Sequence, residues 1–468
     1  MKMQIGQKLV QENLVTEEQL QEALTRQRLR GGRLGENLQA LGYMTEKDMD
    51  RIFKPIPLLP DKVEDTGLSL AFIADLVLKH IRHVGAFRLS EVVDSVKLPA
   101  PIVDQAMEVL RREKLVEVRS ASEFVRSSYQ FQTTDKGKSH GAEVAEICSY
   151  TGPAPVPLDR YRKLVELQTI KNIEVTEESV CEAFSSLVID DSLLRRLGPA
   201  ISSGNPMFIY GPPGNGKTTI AEAIGRILPD DIFVPYAVYV GGQIVQVFDP
   251  VTHTPVQEEQ PSEEFDRRWI KVKRPVLITG GELTLKSFDL DFNRIAKFYE
   301  APLQMKANNG LFIVDDFGRQ QMNPQALLNR WIVNLDRRID FLSLHTGMKF
   351  EIPFDQLVIF STNLEPKSLV DEAFLRRIRY KIKIDHPTAL EYEQIFRRVC
   401  EANGVPFDQD VFNHLVKDHY HRYGVTLSAC HPRDIIDHII DDSRFYKHSP
   451  KMTRENVETA WGNYFIDQ

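Results

Sequence analysis

The stretch FIYGPPGNGKTTI, residues 208–220, constrains the chain more than any other. An apolar strand runs into a glycine-rich loop, and the loop opens into a helix-forming segment. It fits G-x-x-x-x-G-K-[ST] at Gly211, Gly216, Lys217 and Thr218. Glycines let backbone N–H groups turn toward phosphate, and the helix N-terminus behind them adds a favourable dipole. A lysine at this place reaches β- and γ-phosphates, and the hydroxyl after it ligates Mg²⁺. ATP with Mg²⁺ is the expected ligand pair. The contacting residues would be Gly211, Pro212, Pro213, Gly214, Asn215, Gly216, Lys217, Thr218 and Thr219, and the unit implies an α/β fold.

About a hundred residues on, LFIVDDFG (311–318) repeats the theme of a buried strand tipped by acid. Asp315 is placed to serve as an indirect Mg²⁺ ligand. Asp316 follows as the acid that would prepare water for attack. Most strands of this kind end in Asp-Glu. An aspartate there is one C–C bond shorter, which withdraws the carboxylate by roughly 1.5 Å. A third apolar run, QLVIFSTN (356–363), ends in Asn363, which either orients the attacking water or caps a turn. DEAFLRRIRYKI (371–382) carries Arg376 and Arg377, and HPRDIIDHI (431–439) carries Arg433.

This ordered set resembles the AAA+ ATPases over about residues 165–468, with a nucleotide-binding core at 165–387 and a helical lid at 388–468. The resemblance implies ATP hydrolysis in a ring of subunits, most often a hexamer. It also implies Walker A, Walker B, sensor 1, arginine finger and sensor 2 roles for Lys217, Asp315/Asp316, Asn363, Arg377 and Arg433. Arg376 is the second choice for the finger, and a structural salt bridge is the competing reading of Arg433. IDFLSLHTGMKFEIPF (339–354) alternates around Thr346-Gly347 as a β-hairpin does. In that place a hairpin resembles the pre-sensor 1 insertion of MoxR-like and related groups. The Asp-Asp pair looks more like the replication-initiator branch. A working, slow ATPase is the combined expectation.

The insertion FVPYAVYVGGQIVQVFDP (233–250) reads as a hairpin turning at Gly241-Gly242. Tyr239-Val240-Gly241 resembles the pore loop of protein-threading members; alternatively, Tyr239 packs on a neighbour. EEQPSEEFD (258–266) reads as a solvated acidic loop.

Upstream, residues 5–20 and 34–49 resemble each other. Ile5-Gly6 matches Leu34-Gly35, Leu9 matches Leu38, Thr16-Glu17 matches Thr45-Glu46 and Leu20 matches Met49. Thr16 with Gln19 makes a capping box. Residues 1–55 thus form a small helical module, similar to the N-terminal domain of type II secretion and type IV pilus ATPases. Some members of that family bind cyclic di-GMP through paired Arg-Leu-Gly motifs. Here Arg33-Leu34-Gly35 is paired with Gln4-Ile5-Gly6, which lacks the arginine fork, so a protein-docking module is favoured. Residues 66–148 give three helices and two strands, resembling a winged-helix domain. Its third helix sets Asp104, Glu108 and Glu113 against Arg111, Arg112 and Lys114. Phosphate binding wants a net positive face, so protein contact is preferred to nucleic acid. Proline-rich stretches at 54–61 and 151–161 read as linkers.

The chain has 468 residues, which suggests about three domains. Its net charge of −8 argues against whole-surface nucleic-acid binding. Four scattered cysteines without CxxC spacing disfavour a disulfide framework or zinc site. No run reaches a membrane span, and the start lacks a signal peptide's apolar core, so a cytoplasmic location is expected. The leading expectation is a remodelling ATPase acting on protein partners recruited by residues 1–150. The alternatives are a DNA-linked regulator or initiator using the winged helix, and a cytoplasmic regulator of a secretion or pilus system.

Overall fold

The computed structural model describes residues 9–10, 15–30, 34–45, 56–120, 130–173, 175–256 and 265–465. Its fold is mixed α/β around a parallel sheet of five strands. These are β1 (Met207–Tyr210), β2 (Val276–Thr279), β3 (Leu311–Val314), β4 (Leu357–Thr362) and β5 (Tyr380–Lys383), in the order β2-β3-β4-β1-β5. The apolar runs alternate between the two faces, as a two-residue period requires. Met207, Ile209, Leu311, Ile313, Leu357 and Ile359 pack with helix α1 (Lys217–Ile227) and helix Asp191–Ser202. Phe208, Phe312, Val314, Val358 and Phe360 pack on the other side, around Trp331 of helix α2 (Pro324–Arg337). Both faces of the three central strands β1, β3 and β4 are covered, which is why these read as continuous apolar runs, whereas the edge strands β2 and β5 alternate buried and exposed residues.

The hairpin expected over 339–354 is present as Ile339–Ser343 against Lys349–Pro353. It shares a core with the insertion, where Val238, Val240 and Val245 meet Leu342, Leu344 and Phe350. The Gly241-Gly242 turn has φ of 56° and 78°. A Cβ on Gly241 would come within 2.4 Å of Met348 Sδ, so the turn lies against the second hairpin. Tyr239 does not stand at an open tip: its ring is tilted over Phe72, 4.9 Å between centroids. That geometry matches the packing reading and opposes a free pore loop.

Helices Leu70–Ile81, Leu89–Val96 and Ala100–Arg112 precede strands Val116–Ser120 and Gln130–Thr133 as expected. A third short strand, Ala86–Arg88, pairs with Gln130–Thr133. In sequence SSYQFQTTDKG (127–137) reads as one strand, but the strand ends at Thr133. The Thr134 hydroxyl accepts the Gly137 N–H and caps a helix, Asp135–Ile147. This body does not hang on a free linker. Its core includes Ala237 and Ile244 of the insertion, and Val156–Pro157 pairs in parallel with Ala237–Val240. Pro57 O likewise accepts the Asp266 N–H at 2.9 Å.

Arg268, fully buried, joins these parts. Its guanidinium pairs with the equally buried Asp266 at 2.8 Å and donates to the Thr66 and Pro155 carbonyls at 2.9 and 3.2 Å. Asp266→Ala would strand a buried cation. A destabilisation of about 3–5 kcal/mol is expected by denaturant unfolding, with replacement of both partners by apolar residues costing less.

The last helices, including α3 (Ala389–Ala402), α4 (His431–Tyr446) and α5 (Arg454–Tyr464), close on Tyr392, Phe396, Phe412, Tyr420, Ile435 and Trp461. Near the N-terminus, Thr16 and Gln19 exchange the expected capping bonds ahead of helix Glu17–Arg30. Gln4, Ile5, Gly6, Arg33, Glu46, Met49, Lys54 and most of the acidic loop (258–264) lie outside the described residues. Among those described, no helix is long and apolar enough to cross a membrane.

Burial lowers the pKa of several histidines and disfavours their charged form, among them His80, His253 and His431. His253, for example, accepts the Asp249 N–H at Nδ1 and faces the Lys306 carbonyl through Nε2. An unfolded chain takes up these protons more readily than the folded one. Stability is therefore complete above the free value of about 6.5 and lost as pH falls below it toward the depressed folded values. Thermal melts from about pH 7.5 to 5.5 are expected to show a steadily falling midpoint, less steep in His253→Gln.

Candidate functional site

The loop between β1 and α1 takes backbone shapes that its glycines allow. Gly214 and Gly216 have φ of 75° and 78°, values disfavoured for side-chain-bearing residues. Gly211 crosses so close to β5 that a Cβ would lie 2.0 Å from the Ile384 carbonyl oxygen. Pro213, Gly214 and Thr219 are exposed, while Asn215 and Lys217 are buried. The Lys217 ammonium donates to Pro212 O at 2.7 Å and makes no ion pair among the described residues. Burial pushes its pKa down, against the pull of Asp316 and Asp315. A buried cation without a carboxylate partner is suited to an incoming anion.

Strand order brings the acids to this loop. β4 lies between β1 and β3, so the ends of three adjacent strands converge. The Thr218 hydroxyl lies 3.0 Å from both Asp315 carboxylate oxygens. Asn363 Nδ2 donates to Asp316 Oδ1 at 3.0 Å. Lys217, Thr218, Asp315, Asp316 and Asn363 are thus one group, and its donor set fits a triphosphate with Mg²⁺. Asp316 sits in the left-handed region, with φ 46°. Aspartate and asparagine tolerate that conformation better than longer side chains.

Sequence reasoning missed the braces beneath this group. Gln320 accepts the Gly318 N–H and donates to Asp315 O, both at 2.8 Å. The Thr362 hydroxyl donates to Phe317 O at 2.7 Å. It also missed the direct seating of the lid. The Cys430 N–H donates to Gly214 O at 2.8 Å, and the Ala429 N–H donates to Asn215 Oδ1 at 3.1 Å. Helix α4 therefore starts against the loop. Arg433, in its first turn, is 70% exposed and only 3.9 Å pairs it with Asp434. No hydrogen bond from Arg433 to the loop is present among the described residues.

Arg376 and Arg377 do not join the group. They precede β5, whose Tyr380 pairs with Met207 at the start of β1. The sheet is parallel, so they lie at the end of its strands opposite the glycine loop, about 13 Å away along the four-residue strands. There Lys171, Arg338, Arg376, Arg377 and Arg379 line a cleft of about 600 Å³, with Asp336 among them. Arg377 Nε donates to Asp336 Oδ2 at 2.8 Å.

A family profile described as a domain of unknown function (DUF8689) matches residues 388–463, the C-terminal helices. No curated protein matches the chain. Among solved structures, the Thermotoga maritima RuvB Holliday junction branch migration motor is 14% identical, with 63% of this chain and 71% of that one covered at a TM-score of 0.34. NtrX from Brucella abortus is 13% identical, covering 62% and 59% at 0.37. A MarR family regulator from Neisseria meningitidis is 20% identical over 18% of this chain and 57% of its own, at 0.15. Likenesses this remote say nothing of activity.

Proposed function

We propose that the chain is an ATP-hydrolysing member of the AAA+ class. In this reading it works as a ring, probing protein partners through residues 1–150. The supporting observation is the meeting of Thr218 with Asp315, and of Asn363 with Asp316, beside an ammonium that lacks a carboxylate partner.

Each group has one task in this reading. Lys217 binds the β- and γ-phosphates. Thr218 and Asp315 would hold Mg²⁺, which supplies neutralisation of phosphate charge. Asn363 takes up one oxygen of Asp316 and leaves Oδ2 to accept the proton of a water molecule. That water attacks the γ-phosphorus, and the bond to the leaving ADP oxygen breaks. Arg433 reaches the phosphates by a side-chain swing from the first turn of α4. Balanced charge on the helix Ala100–Arg112 favours a protein partner over DNA.

Lys217→Ala tests the reading at its root. Titration calorimetry with ATP and Mg²⁺ is expected to show affinity lost by about 100-fold or more, since a charge-assisted phosphate contact goes with the side chain. Unchanged affinity would remove the phosphate-loop assignment.

A further inference from the structure

The lid contains a cluster of ligating side chains that the nucleotide site does not use. Helix Gln409–His414 continues into a π-turn, Leu415–His421. Residues five apart on an α-helix point about 140° away from one another. The wider i→i+5 winding of a π-turn returns them toward one face. His414 and His419 accordingly face each other, with ring centroids 5.4 Å apart. Glu458 reaches the same spot from α5. One donor atom from each of the three residues lies within 4.8 Å of the others.

The distances around this spot are compatible with those between ligands of one metal ion. His414 Nε2 is 3.2 Å from Glu458 Oε1. Two ligands on a tetrahedral zinc ion stand about 3.3 Å apart, given bonds near 2.0–2.1 Å. The other nitrogen, His414 Nδ1, is 2.7 Å from Asp418 Oδ2. A carboxylate in that place fixes the tautomer and orients the ring of a metal-bound histidine. His419 Nδ1 is buried and has no hydrogen-bond partner among the described residues. A buried ring nitrogen without a partner costs free energy, a cost that a bound metal ion would remove. Single π-turns concentrate at functional sites because their irregular winding is otherwise unfavourable.

The geometry points to a binding site for one divalent transition-metal ion of the zinc type, held by His414, His419 and Glu458 and supported by Asp418. Two imidazoles and a carboxylate suit Zn²⁺ rather than Mg²⁺ or Ca²⁺, which take all-oxygen shells. The ion would pin α5 to the π-turn. Tyr420 in that turn lies 3.0 Å, through its hydroxyl, from Nδ1 of His431 at the start of α4. The site stands apart from the nucleotide reading and does not depend on it.

The full chain, stripped with chelator and returned to buffer with Mg²⁺, is titrated with Zn²⁺ by calorimetry. Co²⁺ absorption in parallel reports the coordination geometry. One equivalent of Zn²⁺ at micromolar affinity or tighter, with intense visible Co²⁺ bands of tetrahedral type, is the expected result. Glu458→Gln and His419→Gln are each expected to weaken binding by at least about tenfold. Asp418→Asn, an exposed and conservative change, is expected to weaken it by about 10–100-fold. Melts of the metal-free variants check that the lid stays folded. Absence of saturable binding in wild type would overturn the proposal and leave His414 as a proton-bridged link between two carboxylates. Equal binding in all three variants would overturn it by placing the ion elsewhere.

Discussion

Arg377→Ala is expected to bind ATP as wild type does and to lose about 10³–10⁵-fold in turnover, the range seen for arginine fingers in phosphoryl transfer. On the proposed function, Arg377 would not serve a nucleotide of its own subunit, because it lies at the end of the strands opposite the glycine loop. A ring would bring that end to a neighbour's site, where the γ-phosphoryl charge left over by Lys217 and Mg²⁺ would need a cation. Arg377→Ala mixed with Lys217→Ala under subunit exchange creates some interfaces with both groups intact, and those are expected to recover measurable activity. The competing role is structural, since Arg377 pairs with Asp336. Asp336→Ala separates the two: it breaks the pair but keeps the arginine, so near-normal turnover is expected. Equal loss in Asp336→Ala, or no recovery in confirmed mixed rings, would count against a finger at Arg377. Full activity of Arg377→Ala would leave Arg376 as the alternative in the same cleft.

How far the sequence could be read depended on how local the cause was. The glycine loop, the acid-tipped β3 and the asparagine after β4 each announce themselves within a few residues. Their meeting depends only on strand order, and alternate burial of the three apolar runs is consistent with that order. The seating of Cys430 on Gly214 is different. A Cβ at Gly214 would come within 2.6 Å of Cys430 Sγ, so this glycine answers to a residue far along the chain as well as to its own left-handed backbone. Helix Asp135–Ile147 shows the same limit. Its first residues, through Gly137, read as the end of a strand. A Cβ on Gly137 would stand 2.1 Å from Leu115 O, and one on Gly141 would stand 3.1 Å from Arg82 Cβ. These glycines permit close approach of a helix to its neighbours, a tertiary demand that local composition does not carry. Arg268 was hidden likewise, because nothing around it in sequence foretells carbonyl partners at Thr66 and Pro155.

Asp316→Asn is expected to fold, bind ATP and lose about 10²–10⁴-fold in hydrolysis, the usual contribution of a positioned base. Asparagine tolerates the left-handed backbone at this position, so the loop over Asp315 keeps its shape. An amide cannot take a proton from water, and the loss falls on turnover rather than affinity. The longer acid found in most such strands has its carboxylate one bond further out. At φ 46° it meets the backbone penalty of roughly 1–2 kcal/mol that side chains generally suffer there. It would also push past Asn363, which holds Oδ1 at 3.0 Å. Asp316→Glu is therefore expected to hydrolyse ATP more slowly than wild type. The short acid then belongs to a site whose backbone turn selects it. Single-turnover hydrolysis with saturating ATP measures this directly. Faster turnover in Asp316→Glu would reverse the conclusion and make Asp316 a brake on the enzyme. Wild-type turnover in Asp316→Asn would move the base to another residue.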